Sequence, residues 1–328
     1  MRLRNVFPSA LGAVAIATLI CLQAWPAEAA AEGSFQRTLQ VTGPVRMDLT
    51  TGSGNVEVRT GDASQVQVTG HIRSTEWFGG NVEEKIKRLE ANPPIQQSGN
   101  AIRIGHIDDP ELRRNISISY VVVVPAETEL RAESGSGNQR VEGIRGPLDV
   151  SAGSGDLKIS AIGDRVRAET GSGDIEMEGV KGNVHAKTGS GSIQADEIGG
   201  GFEADSGSGH ITLRQTAPGS VRVDTGSGGM ELQGVRGSLE AKAGSGTIRA
   251  EGSPTGTWSV HTGSGTVQLK LPSDASFELD AHTSSGSISV EQPHTVQGSI
   301  GRKEIRGRVG SGGVPVEVET GSGDIQIE

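Results

Sequence analysis

Over much of this chain apolar and polar residues alternate in short runs, and the runs recur on a fixed period. The stretch Gly171-Ser172-Gly173-Asp174-Ile175-Glu176-Met177-Glu178-Gly179-Val180-Lys181-Gly182-Asn183-Val184-His185-Ala186-Lys187-Thr188 shows one unit. Ile175 and Met177 alternate with Asp174, Glu176 and Glu178; Val184 and Ala186 alternate with Asn183, His185 and Lys187. Each run predicts a half-buried strand of about five residues. Gly171-Ser172-Gly173 supplies one turn, because glycine takes positive φ without steric cost, and Gly179 to Gly182 supplies the other.

Gly-Ser-Gly begins at Gly52, Gly135, Gly153, Gly171, Gly189, Gly207, Gly226, Gly244, Gly263, Gly310 and Gly321, and Ser284-Ser285-Gly286 is a variant. From Gly135 to Gly263 the spacings are 18, 18, 18, 18, 19, 18 and 19 residues. The register repeats in columns. Leu157, Ile175, Ile193, Ile211, Met230, Ile248 and Val267 form one inward column, and Val150, Ala168, Ala186, Ala204, Val223, Ala241 and Val260 another. Ile144, Ile162, Val180, Ile198 and Val235 fill the second corner. The pattern predicts an all-β chain: a β-solenoid, parallel β-helix-like, with coils of about 18 residues that bury their apolar faces only by stacking. About ten coils at roughly 4.8 Å make a rod of about 50 Å. An immunoglobulin-like sandwich also has short alternating strands, but not a constant period with one turn chemistry.

The expected organisation is a leader over 1–29, an N-terminal β region over 30–133, regular repeats over 134–290, and a loop with C-terminal capping strands over 291–328. In the second part Leu39-Val41, Val45-Met47-Leu49, Val56-Val58 and Val66-Val68 alternate, and Tyr120 to Val124 is a buried strand ending at Pro125. One helix is expected near 81–91: Asn81 and Glu84 form a capping box, Val82, Ile86 and Leu89 an apolar stripe, and Asn92-Pro93-Pro94 a stop. The stripe reads as packing against the first coils, with a partner-binding helix as the alternative. Val314 to Val318 and Ile325-Gln326-Ile327 are expected to cover the open end of the stack.

The first residues read as a secretory leader: Arg2 and Arg4, an apolar run from Ala10 to Leu22, and Ala27-Glu28-Ala29 as a cleavage signal, with cleavage after Ala29. An uncleaved anchor is disfavoured by the short run. Lipidation at Cys21 is disfavoured by the bulky Ile20. Cys21 is the only cysteine, so the mature chain has no disulfide, thiol nucleophile or thiolate metal site. Removing Arg2, Arg4 and Glu28 leaves 28 basic and 39 acidic residues, a net charge of −11. That balance argues against nucleic acid and anionic membranes as partners.

The run Ile116-Ser117-Ile118-Ser119-Tyr120-Val121-Val122-Val123-Val124-Pro125, followed by Leu130-Arg131-Ala132-Glu133-Ser134-Gly135-Ser136-Gly137, resembles the bacterial putative-adhesin family of β-strand repeats. Val124-Pro125-Ala126 and Thr170-Gly171-Ser172-Gly173-Asp174-Ile175 match its strand-Val-Pro-Ala element and its repeat unit. The resemblance spans roughly residues 35 to 328. It implies a surface or envelope location and no known catalysis, and carries no functional residues over.

Calcium β-rolls need recurring carboxylates. Here the position after the turn is Asp only at Asp156, Asp174 and Asp324, and elsewhere Asn55, Asn138, Ser192, His210, Gly229, Thr247, Thr266, Ser287 or Gly313. A glycan-cleaving site needs clustered carboxylates, but the outward column Glu133, Ser151, Glu169, Lys187, Asp205, Asp224, Lys242, His261, His282 flanks Asp205 and Asp224 with lysines. His261 and His282 are expected to stack in adjacent coils without further metal ligands. Asp108, Asp109 and Glu111 near His106 read as a solvated loop. The glycine turns are not phosphate loops, and their serines lack a histidine partner. Thr170, Thr188, Thr225, Thr262 and Thr283 share parity with the inward alanines and read as turn packing rather than an ice-binding ladder. No catalytic, cofactor or metal residue is expected. The expected role is a non-enzymatic, exported, adhesin-like or envelope-associated binding module in the periplasm, at the surface or secreted. Its partners would be a protein or glycan; no span crosses a membrane in the mature chain, and self-association is open. A self-associating scaffold and an extracellular glycan-active enzyme are the alternatives.

Overall fold

The computed structural model describes residues 31–74, 81–291 and 301–328, and the backbone of 294–295. The leader expected over 1–29 lies outside the described residues.

The chain is an all-β solenoid. In each coil one strand enters the Gly-Ser-Gly turn and a second leaves it. The entering strands Leu148–Ser154, Val166–Ser172, Val184–Ser190, Phe202–Ser208 and Val221–Ser227 stack in parallel, so that Leu148, Val166, Val184, Phe202 and Val221 stand in one column. The leaving strands Leu157–Ile162, Ile175–Val180, Ile193–Ile198 and Ile211–Gln215 make the second wall in the same way. Met230–Ser245 and Ile248–Ser264 run through the corner and serve both walls. The inward residues Leu157, Ile175, Ile193 and Ile211 are at most 1% exposed, and Val150, Ala168, Ala186 and Ala204 are equally buried. Backbone amides of each turn also bond to the next: Gly155 donates to the Ser172 carbonyl at 3.0 Å, and Gly137 to that of Ser154 at 3.0 Å.

The stack begins before residue 134. Val45–Ser53 and Val56–Thr60 already form a coil, paired in parallel with Thr128–Ser136 and Gln139–Glu142. Between them the chain makes an excursion. Ala101–Ile104 and Ile116–Val124 return to extend the two walls beyond that first coil. Gln65–Ser74 and Glu32–Gln40 then continue one wall in antiparallel fashion.

The helix Val82–Ala91 buries Ile86 and Leu89, with Val82 partly covered. It packs on Glu32–Gln40, where Glu90 accepts the amide of Ser34 at 2.8 Å and so covers part of an exposed strand edge. The expected capping box is absent. Asn81 sits at φ 86 and makes no side-chain cap bond, because the left-handed backbone turns its amide away from the first helical turn.

The C-terminal strands also depart from expectation. Val314–Ser322 lies between residues 258–264 and Phe277–Ser285, and Ile325–Ile327 between Val267–Lys270 and Ile288–Val290. They are one coil inside the end rather than its cover. Val316, Val318, Ile325 and Ile327 continue the inward columns and are at most 2% exposed, so the segment pairs well on both edges. The outer side of Phe277–Ser285 pairs instead with antiparallel Glu304–Val309, and the backbone of residues 294–295 meets the far side of that strand at Arg308 and Val309. Gly310-Ser311-Gly312 is therefore not a coil turn. It crosses over the start of Phe277–Ser285, with the Ser311 amide donating to Ser276 Oγ at 3.3 Å.

Candidate binding surfaces

Two polar columns, one inward and buried, the other exposed, are used up by the turns. Hydroxyls of Thr170, Thr188 and Ser206 each donate at 3.0 Å to the second glycine carbonyl of the preceding turn, Gly155, Gly173 and Gly191. The threonines are buried, so the turn-packing reading of this column holds and it presents no ladder to solvent. The Asn/Asp column works in the other direction: Asn55, Asn138, Asp156 and Asp174 accept the amides of Asn138, Asp156, Asp174 and Ser192 in the next coil, at 2.7–3.0 Å. Asp324 likewise accepts the hydroxyl and the amide of Ser287, which hold its carboxyl below the ordinary range. Each of these carboxylates already has a backbone partner across the stack. Melting in excess chelator should therefore match melting in millimolar calcium; a rise of many degrees on adding calcium would overturn this assignment.

Outward residues form charge ladders. Along the entering wall Asp48, Arg131, Asp149, Arg167, His185, Glu203, Arg222 and Glu240 follow one another in register. His185 meets Glu203 at 3.3 Å, Arg222 pairs with Glu240, and on the opposite wall Lys158 pairs with Glu176 at 2.8 Å. These pairs are exposed or half-buried at the surface, and each contributes at most about 1 kcal/mol. Asp205 and Asp224 are neighbours, with Lys187 and Lys242 on either side. His261 and His282 are not neighbours. The inserted strand places Glu319 between them, 3.3 Å from His261 Nδ1. No cluster of three or more His, Cys, Asp or Glu suited to a metal occurs among the described residues.

A cleft of about 500 Å³ opens where the glycine-turn column starts. In later coils each turn lies against its predecessor. Gly52 has no predecessor, and a Cβ there would meet nothing within 4 Å. The chain bridges this end with Ser117, whose hydroxyl donates to the Ser53 carbonyl, and with Ser119, which accepts the Asn55 amide at 3.1 Å. The loop through Gly105, His106, Arg113 and Asn115 swings wide and leaves the hollow. Below it lies Tyr120, 1% exposed, its ring edge-on to Phe35 at 6.3 Å between centroids. Its hydroxyl has no hydrogen-bond partner, and burial pushes its pKa upward, so it remains a protonated donor. A neighbouring hollow holds Asp48, Arg103, Arg131 and Glu133, with Arg131 2.6 Å from Glu133. His106 bonds Asp108 at 3.1 Å, while Asp109 caps the helical turn Pro110–Arg113 by accepting the Glu111 amide. The acidic loop is thus partly structural. The strand through Tyr120 is legible in the sequence; the cleft is not. Its one signal is that the chain's single tyrosine interrupts an otherwise aliphatic run.

The Toastrack DUF4097 family model matches residues 124–197 and 163–328. Those spans take in Val124-Pro125-Ala126 and the unit at Thr170 to Ile175, the residues that carry the likeness to a β-strand-repeat family. No curated protein matches the chain. Three solved structures align over most of it. One is a putative cell adhesion protein from Clostridium sporogenes, with 9% identity, 90% of this chain and 99% of that chain covered, and a TM-score of 0.23. A second is a putative adhesin from Bacteroides fragilis, with 14% identity, 90% and 97% covered, and a TM-score of 0.32. The third is a putative lipid binding protein from Parabacteroides distasonis, with 12% identity, 89% and 96% covered, and a TM-score of 0.36. These superpositions are loose, and the fold assignment rests on the family match and the strand register.

Proposed function

This chain belongs to the Toastrack DUF4097 family, and on that premise we propose that it is a non-enzymatic, exported, adhesin-like binding module of the cell envelope or surface. One observation carries the reading. Inward and turn columns are spent on holding the coils together, which leaves two long exposed walls whose charges change from coil to coil. Such walls bind through many weak contacts. Among the described residues their charged groups meet one another in pairs, and no wall gathers an acid, a base and a nucleophile around one point. The acidic balance favours protein, glycan or cationic partners over nucleic acid. No described helix is long and apolar enough to cross a membrane.

Distributed binding has a direct test. The tagged mature protein is used to capture partners from envelope fractions and on a glycan array. Glu176→Ala and Arg249→Ala should each change affinity less than about threefold, since exposed pairs contribute little. Removing residues 171–206, two whole periods joined at equivalent positions, should abolish binding while circular dichroism still reports a β fold. Turnover of a polysaccharide that is lost on substituting one outward carboxylate would make the protein an enzyme instead.

A further inference from the structure

The geometry points to a small-ligand site in the cleft above Gly52, separate from the long walls: we propose that it binds the carboxylate-bearing ring of an acidic sugar, of the hexuronate class. The cleft volume, about 500 Å³, falls within the range of small-molecule sites. Its chemistry is one-sided. Arg113 lines it and has no acidic partner among the described residues, and no aspartate or glutamate lines it, in a chain of net charge −10. An anion is therefore favoured there, and an amine or zwitterion would find no counter-charge. A planar guanidinium matches a carboxylate with two parallel hydrogen bonds.

The Tyr120 hydroxyl is the second, independent observation. A buried donor without a partner is costly, and phenylalanine would pack the same ring without that cost. Gly105 lies directly beside it. A Cβ at Gly105 would stand 3.4 Å from the hydroxyl and 1.7 Å from the Thr50 carbonyl, so this wall of the cleft cannot carry a side chain. Ile107, Ile116 and Ile118 face the apolar side of a pyranose, and a ring oxygen or hydroxyl that reaches past Gly105 to the buried phenol meets its unpartnered donor.

The test is calorimetric titration of the mature protein with glucuronate, neutral methyl glucoside and inorganic phosphate. Glucuronate should bind at least about tenfold more tightly than either comparator. Arg113→Gln should remove binding and leave the melting temperature unchanged. Tyr120→Phe should weaken binding about tenfold yet raise the melting temperature, because an unmet donor has been deleted. The protein lacking residues 171–206 should still bind glucuronate, which separates this site from the walls. Equal binding of glucuronate and glucoside, or tighter binding of phosphate, would overturn the proposal. So would unchanged affinity in Tyr120→Phe, or a lowered melting temperature in that variant, which would give the hydroxyl a structural water as its partner.

Discussion

Ile193→Asp collapses the middle of the stack, while Gln194→Lys, one residue later, leaves the melting temperature nearly unchanged. Ile193 is 1% exposed and sits in register between Ile175 and Ile211, themselves buried. An aspartate there has no cation within the wall and no water. The cost is an uncompensated charge plus the lost apolar contacts, on the order of 4–5 kcal/mol. Gln194 projects from the other side of the same strand into solvent. Because coils are stabilised only by their neighbours, the loss should spread to adjacent units, and amide exchange should accelerate over roughly residues 160–230 before it does at either end. Equal melting temperatures for the two variants would refute the inward and outward assignment of this wall.

Gly171→Ala is expected to destabilise by about 3 kcal/mol, and Gly52→Ala by no more than about 0.5 kcal/mol, although the two glycines hold equivalent places in their turns. At Gly171 a methyl group would stand 2.5 Å from the Gly153 carbonyl oxygen; at Gly52 it would meet nothing within 4 Å. The obstacle is backbone on a neighbouring coil, and it yields only if the coils spread at the turn. Gly135, Gly153, Gly189, Gly207, Gly226, Gly244 and Gly263 meet the same obstacle at 2.4–2.6 Å. The contrast isolates stacking from intrinsic glycine flexibility, which both substitutions remove alike. Chemical denaturation of the two variants, with comparable losses in both, would show that flexibility and not stacking explains the recurrence.

The regular part of the fold was legible because each repeat states the same thing. The alternation of Ile175 and Met177 with acids predicts parity, and the 18-residue recurrence predicts that equivalent residues meet. Both statements are local or periodic, so one chain carries them many times. The N-terminal excursion carries each of its signals once. Asn81 has the residue types of a capping box, yet its backbone is left-handed and the box does not form. The position of Val314–Ser322 was hidden for a different reason. Its alternation specifies that it is a coil, not which neighbours it takes, and the columns are so alike that the strand fits between residues 258–264 and Phe277–Ser285 as readily as beyond them. The cleft was illegible because it arises from an omission, a turn that is not repeated above Gly52, and omissions leave no residue pattern.

The interleaved coil has a consequence for how the rod comes apart. Thr320 donates to the Gly265 carbonyl at 3.0 Å and Thr283 to that of Gly323 at 2.9 Å, so both seams of the inserted coil carry the same bonds as the rest of the stack. A simple solenoid can fray from its end one coil at a time, in the order of its chain. Here the outermost coil, 277–290, is joined by chain to the coil two places in, while the coil between them comes from further along the sequence. Peeling the edge away therefore pulls on a loop that encloses another strand pair, and neither seam can open alone without straining the other. This end acts as a kinetic latch: it resists opening by the barrier to separating two seams together rather than by any extra depth of burial. By the same logic assembly must finish out of order, with residues 314–327 entering between two coils that the chain has already supplied.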